Sequence, residues 1–588
     1  MSITRKWVVR TVRHMVGVAM VAFLPVACGG SGSRVAWPVE DVTVAAVTPG
    51  ESQVGAYLAG HHALQMHDLK TASAYYRRAL QIDPTNINLL KRTYTLLAAE
   101  GDIGGSIAVV QKLQALKVKD PVATLILTVK AAQNEDYAEV ERLMAAQPRH
   151  GLNSFVGPLM MAWAQAGQGQ VDAALRTVAS LKKSDPLLTL YNFHSGMIND
   201  LAGRPRAAAV HYAATVTAEG GLSLRTLEVI GAFYLRIGQQ EKTQALYERY
   251  LKEHPGTVLL DGLIQGLNDG ATPARPIADA RNGLAETLFG AANTVREENA
   301  ADASLLLGRL ALAMQADFPL AQILVGDLLQ AQARSEEANA AYQAIGRNSV
   351  VYYSVQLRVA ENLYKAGTLH KAIAALESLA QQWPDRPEAF ILLGDIWRNE
   401  KRFVEATLAY EKALARIQVV EDRHWNLFYS RGIAYEQAQR WTAAEKDFLK
   451  ALDLAPNHPL VLNYLGYSWL ERRHNIHQAK NMIQQAVKQR PEDGFIVDSL
   501  GWALYLTGDY PGAVQELERA VELEPNDPTI NEHLGDAYWH VSRRKEARFQ
   551  WQRALSLNPE GPDLRTILHR KLERGLVDTP DIPNVPDT

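Results

Sequence analysis

Apolar residues return every three to four positions along most of this chain, and no stretch alternates long enough to suggest a strand. A longer period lies over the helical one. Small residues fall at Gly326, Ala360, Gly394, Gly432, Gly466, Gly501 and Gly535, in steps of 34, 34, 38, 34, 35 and 34. Twelve or thirteen residues after each stands an alanine: Ala338, Ala372, Ala406, Ala444, Ala479, Ala513 and Ala547. A large residue follows at Tyr342, Leu376, Tyr410, Phe448, Ile483, Leu517 and Trp551, and prolines close most units at 384, 456, 491, 525 and 559. The spacing predicts repeated pairs of antiparallel helices. The small residue and the alanine let the two helices approach, the large residue fills the space between pairs, and proline stops one helix and suits the first turn of the next. Asp83-Pro84, Asp185-Pro186 and Asp527-Pro528 add a candidate acidic cap.

This pattern resembles the tetratricopeptide repeat family, which implies an all-α fold: a right-handed superhelical solenoid of helix-turn-helix repeats. Two further units are clear upstream, one with Gly60, Ala72, Tyr76 and Pro84, the other with Gly231, Tyr234, Gly238, Tyr247 and Pro255. Degenerate units fall around Tyr94–Leu113, Trp163–Leu181, Gly196–Tyr212 and 285–318, for nine clear units and about five weak ones in all. The expected arrays are 53–257, partly degenerate, and 283–561. Between them, residues 258–282 gather Gly262, Gly266, Gly270, Pro273 and Pro276, and read as a hinge or a long loop. Residues 562–574 read as a charged capping helix, and 575–588, with Pro580, Pro583 and Pro586, as a disordered tail.

The first residues read as an address. Arg5, Lys6, Arg10, Arg13 and His14 precede an apolar run of 12 residues, Met15 to Val26, which is too short for a bilayer span of ~20 residues. Cys28, the only cysteine, follows directly. The segment 1–27 resembles a bacterial lipoprotein signal, which implies lipidation of Cys28 as the new N-terminus; Pro25 departs from the usual leucine, and an ordinary cleaved signal is the alternative. Gly29 rather than Asp after the cysteine implies, by the same resemblance, the outer membrane of the cell envelope, facing the periplasm. Residues 28–52 open Gly-Gly-Ser-Gly-Ser after the cysteine and read as a tether, with a coil dimension of roughly 25–30 Å and a limit of ~80 Å.

Composition narrows the chemistry. With 61 basic and 64 acidic side chains the net charge is −3, which argues against a nucleic-acid binder, and one cysteine excludes a disulfide framework. No phosphate loop, nucleophile elbow or zinc-protease helix is present; His61, His62, His67, His474 and His477 read as solvated, and no metal or cofactor is expected. The chain reads as a non-enzyme, with an unrecognised site in 87–222 as the alternative.

In the family resembled, the first helix of each pair lines a concave groove through its second, fifth, ninth, twelfth and thirteenth residues. In this chain those slots hold the aromatics Tyr429, Tyr467, Trp502, Tyr505 and Trp539, the acids Asp395, Asp498, Glu532 and Asp536, and Asn463. Rigid rings suit an interface, the acids favour basic or amide-rich segments, and Asn463 suits a peptide main chain. The Lys/Arg set with which some repeats clamp a terminal carboxylate is missing. The run Val461 to Trp551 also resembles repeat-bearing outer-membrane lipoproteins of Gram-negative bacteria, among them the lipoprotein partner of a carboxyl-terminal processing protease. That resemblance implies a membrane-anchored periplasmic scaffold or adaptor for protein or peptide partners, presenting clients to an envelope protease or hydrolase. A structural subunit of an export or polysaccharide-secretion complex is the competing expectation.

Overall fold

The computed structural model describes residues 52–576 apart from 67, 219–221, 255–256, 258, 271 and 560–561. The address and most of the tether, 1–51, and the tail from 577 lie outside the described residues. Among the described residues there are thirty α-helices and no strands. No helix there is long and apolar enough to cross a membrane.

The chain divides into two compact units, one ending at Ala372 and one beginning at Ile373. In the first, the helices are α1 (Gln53–Gln65), α2 (Leu69–Ile82), α3 (Ile87–Glu100), α4 (Ile103–Ala115), α5 (Pro121–Gln133), α6 (Tyr137–Ala145), α7 (Asn153–Gly167), α8 (Val171–Val178), α9 (Leu188–Leu201), α10 (Pro205–Thr217), α11 (Leu224–Arg236) and α12 (Gln240–Glu253). They continue with α13 (Asp261–Asn268), α14 (Ala280–Glu297), α15 (Ala301–Met314), α16 (Pro319–Ala331), α17 (Ser335–Gln343) and α18 (Tyr352–Lys365); α19 (Leu369–Gln382) spans the division. The second unit holds α20 (Glu388–Asn399), α21 (Phe403–Leu414), α22 (Trp425–Gln437), α23 (Trp441–Leu454), α24 (Pro459–Glu471), α25 (Ile476–Gln489), α26 (Gly494–Leu506), α27 (Tyr510–Leu523), α28 (Pro528–His540), α29 (Arg544–Ser556) and α30 (Pro562–Arg574).

Consecutive helices pack as hairpins, α20 on α21 and α22 on α23, for example, and within the second unit each hairpin packs on the next. The seven alanines of the repeat are all 0% exposed, so each sits where a larger side chain would part its helices. At Gly394 and Gly535 a Cβ would stand 2.4 Å from the rings of Tyr410 and Trp551 respectively, so the glycine is what lets the aromatic lie against the helix backbone. The closing prolines lie in the turns, whereas other prolines open helices: Pro121, Pro205, Pro319, Pro459 and Pro528. Of the three Asp-Pro pairs only Asp527-Pro528 makes the expected cap, its Oδ1 accepting from Thr529 and Ile530 N–H at 2.8 and 2.9 Å. Asp83 ends α2 instead, while Asn86 caps α3, and Asp185-Pro186 falls in a short 3₁₀ turn with no capping bond.

Two sequence expectations change. The region 258–282 contains a helix, α13, and the units divide after Ala372 instead. The physical reason is that α14 and α15 pack back onto α3, α5 and α7, which binds the following helices to the N-terminal ones. The helix over 562–574 forms, but it is more than a solvated cap: Leu568 is 0% exposed, and Lys571 is buried against α28.

Candidate functional site

The second unit presents the predicted lining residues on α20, α22, α24, α26 and α28, the first helices of successive pairs. Their surroundings sort them into three groups.

Asp395 and Asp536 are committed inside their own repeats. Tyr410 Oη donates to Asp395 Oδ1 at 2.8 Å, and Trp551 Nε1 donates to Asp536 Oδ1 at 2.9 Å. In the first unit Tyr342 Oη donates to Asp327 Oδ1 at 2.6 Å by the same spacing of 15 residues. The rule is visible in sequence once stated. A Gly-Asp pair (326–327, 394–395, 535–536) meets an aromatic with a polar head fifteen residues on, and the carboxylate accepts from that head. Where the large residue is Phe448, Ile483 or Leu517, the position after the glycine is Ile433, Tyr467 or Trp502, none of them an acid. Both serve as acceptors that hold helix to helix; Asp536 is buried, while Asp395 keeps 37% of its side chain exposed, with Arg398 3.7 Å away.

Asp498, Glu532 and Asp536 also belong to a buried charge cluster, so they do not form an uncompensated acidic wall. His533 Nδ1 lies 2.9 and 3.2 Å from the two oxygens of Asp498. Lys571 of α30 bonds Asp536 at 2.7 and 2.6 Å and also pairs with Glu532. Burial alone would push His533 down, but Asp498, with Glu532 and Asp536 behind it, raises it to about 9, so it carries its proton at neutral pH. Burial and then the Glu532 charge push Asp536 up to about 6, against the pull of Lys571. Sequence periodicity gave no sign of His533 or Lys571, because each is paired to a residue 35 or more positions away.

The remaining residues form an aromatic face. Trp502 stacks on His533 (centroids 4.1 Å apart, planes 13°) and on Tyr505 (4.7 Å, 9°), and its Nε1 donates to Glu471 Oε1 at 2.8 Å. Tyr505 meets Tyr510 and His540 edge-on, and those two rings stack at 4.3 Å. Tyr429 packs edge-on against Tyr464 at 5.8 Å, and burial pushes its hydroxyl up to about 12. Tyr467 is half-buried, and burial followed by the nearby Glu471, Asp498 and Glu532 raises its hydroxyl above the ordinary range. Trp539 lies against Trp551 at 5.2 Å, under the Arg544 guanidinium at 3.9 Å, with Gly575 packed so closely that a Cβ there would meet the indole at 2.0 Å. It is closed over by the end of the C-terminal helix. Asn463 Oδ1, on α24 one turn before Tyr467, is one of several buried polar atoms that have no hydrogen-bond partner among the described residues. Cys28 lies outside those residues. Among the described residues no three His, Cys, Asp or Glu side chains gather as a metal site.

The geometry defines a class first: a helical-repeat scaffold with an aromatic face, the kind of surface suited to binding protein. The comparisons then specify the repeat. Family models described as tetratricopeptide or TPR repeat match residues 56–86, 357–419, 425–458 and 501–541. Those four segments match tetratricopeptide repeats. It is similar to a TPR repeat-containing protein of Pseudomonas aeruginosa, 28% identical over 194 residues, which is 33% of this chain and 32% of the relative. It is also similar to Superkiller complex protein 3 of Mus musculus, 27% identical over 128 residues, 22% of this chain and 8% of that one. The matched part thus spans at most about a third of these relatives. Among solved structures, the APC/C hetero-tetramer Cut9-Hcn1 aligns over 90% of this chain and 97% of that one, at 15% identity and a TM-score of 0.38. Yeast Tom70 aligns over 89% and 95%, at 10% identity and a TM-score of 0.32.

Proposed function

We propose that the protein is a membrane-tethered adaptor that holds extended polypeptide segments on the inner face of the second unit, over α22, α24 and α26. The observation that carries this reading is the absence of the Gly-Asp tie in those three repeats. The residue after the glycine there is Ile433, Tyr467 or Trp502, free to face a ligand instead of its own repeat. Asn463 fits the same role, since a buried acceptor without a donor costs about 1–3 kcal/mol and a ligand main-chain N–H relieves that cost. Stacked rings held in place by Glu471 and His533 offer contact area with little side-chain entropy left to lose.

On this reading Cys28 is acylated and anchors the chain at the outer membrane, facing the periplasm. More than one acyl chain is needed for a stable hold. The tether then raises the local concentration of two weakly interacting partners, and the resemblance to protease-partner lipoproteins makes an envelope protease and a wall hydrolase the expected pair. Crosslinked capture from intact cells, comparing the wild-type chain with Asn463→Ala/Tyr467→Ala, tests the face: partners should disappear from the variant. Identical partners in both would refute it, and channel subunits among the lost partners would replace the adaptor by a secretion subunit. Cys28→Ser should release the protein from membranes; a variant that stays bound refutes the anchor.

A further inference from the structure

In the first unit the corresponding inner face is already covered. The helices that should line it, α3, α5 and α7, are the ones on which α14 and α15 pack, and this hairpin comes more than a hundred residues later in the chain. The burial pattern agrees. On α7 the run Phe155–Met160 and the run Ala162–Gln165 are both buried, on every side of the helix.

The contact has the features of a seat shaped for helices. Trp163 on α7 is pinned by its Nε1–H, which donates to His194 Nδ1 at 2.9 Å. Burial holds His194 down at about 3, so it stays a neutral acceptor. The indole thus fixed lies flat against Gly283 of α14, where a Cβ would stand 2.0 Å from the ring. Only a helix with glycine at that place approaches so far. At the other end Gln133 Nε2 donates to the Ala313 carbonyl of α15 at 2.9 Å, and the Arg309 side chain of α15 lies over Gly101. On the side of α11, Arg225 Nε donates to Glu286 of α14 at 2.8 Å, a pair with 7% and 4% of its side chains exposed. Two helices with a small-residue face and two polar pins fill the space. The connection from Glu253 to Ala280, much longer than the turns between repeats, gives the chain room to bring the hairpin there.

We propose that the inner face of the N-terminal repeats is a receptor for a helical hairpin, that its resident ligand is the chain's own segment 280–314, and that extended polypeptides are thereby kept off this unit. The face recognises a hairpin through a glycine set on Trp163, an acid set on Arg225 and a free helix-end carbonyl set on Gln133. It does not read an extended main chain.

Two measurements on the full chain decide it. With p-benzoyl-phenylalanine in place of Gln133, irradiation of the purified protein should give an intramolecular crosslink to residues 301–314, read by mass spectrometry; a chain with no such crosslink overturns the proposal. Second, a fluorescent synthetic peptide of residues 280–314 is added in trans to the wild type and to Gly283→Leu, whose side chain collides with Trp163. A site occupied by its own ligand binds the peptide weakly, in proportion to the open fraction, so the variant should bind at least about tenfold more tightly and its amides in 153–167 should lose exchange protection. Equal binding by both chains, or unchanged protection of 153–167 in a folded variant, overturns it. Should the variant fail to fold, the crosslink in the wild type still decides.

Discussion

Lys571→Met is the sharpest perturbation of the second unit. Lys571 places its ammonium between Glu532 and Asp536, 2.7 and 2.6 Å from the Asp536 oxygens, with 10%, 11% and 6% of the three side chains exposed. Removing the cation leaves two carboxylates one helical turn apart in a largely buried site, a loss expected to cost about 3–5 kcal/mol. Part of it is recovered by protonation. Asp536 already stands near 6, and without Lys571 it rises further. A carboxyl whose folded pKa lies above its unfolded one penalises the native state increasingly as pH rises past the unfolded value. The deficit of the variant should therefore be small near pH 5 and widen towards about pH 8. Because repeats couple mainly to their neighbours, the loss should appear first as faster amide exchange in α28 and α29 and only later in a global melt. Adding Glu532→Gln and Asp536→Asn to Lys571→Met removes the stranded charges and should restore most of the stability, since an amide still accepts from Trp551 Nε1. A deficit below about 1 kcal/mol near neutral pH, or one that does not change with pH, would refute the reasoning.

His533, raised from 6.5 to about 9 by Asp498 and its neighbours, contributes stability that is fully present below about pH 6.5 and is lost as pH rises through about 9, worth at most roughly 3 kcal/mol. Melting curves of wild type and Asp498→Asn across that window should converge at the alkaline end; a constant gap contradicts the pairing. Tyr410→Phe takes the donor from Asp395 and should cost about 1–2 kcal/mol, while Asp395→Ile/Tyr410→Phe, which copies the Ile433 and Phe448 pairing, should regain most of it. A double-mutant cycle by urea unfolding with no coupling between the two sites would show that the tie is incidental.

Most of the fold was legible because its signals are local and repeated. Seven alanines, seven small residues and seven large ones in one register mark the helix pairs without any knowledge of long-range contacts. The degenerate units around Tyr94, Trp163 and Tyr212 were also found by helical period, and they form hairpins. What stayed hidden depends on how far the array curls. A one-dimensional period says that α14 follows α13, but it cannot say that α14 returns to Trp163, so the glycine and proline cluster before it read as a hinge or a long loop. The charge cluster was invisible for the same reason: His533 and Lys571 are ordinary residues until repeats separated by a whole helix pair are set side by side.

The lining residues teach a second point about reading such arrays. Slot numbers alone treat Asp395, Tyr467, Trp502 and Asp536 as equivalent, since all four follow a repeat glycine. Their fates differ because the slot is shared between two customers, the ligand groove and the large residue of the second helix. When that residue is Tyr410 or Trp551, burying its polar head without an acceptor would be costly, and the slot is taken by an aspartate that supplies one. When it is Phe448, Ile483 or Leu517 there is no head to satisfy, and the slot is taken by an aliphatic or aromatic side chain, Ile433, Tyr467 or Trp502. In these five repeats an aspartate thus stands in the slot only where the buried residue fifteen positions on has a polar head to satisfy. On the reading proposed above, the repeats at 388–414 and 528–556 would flank the recognition face and the three between them would make it.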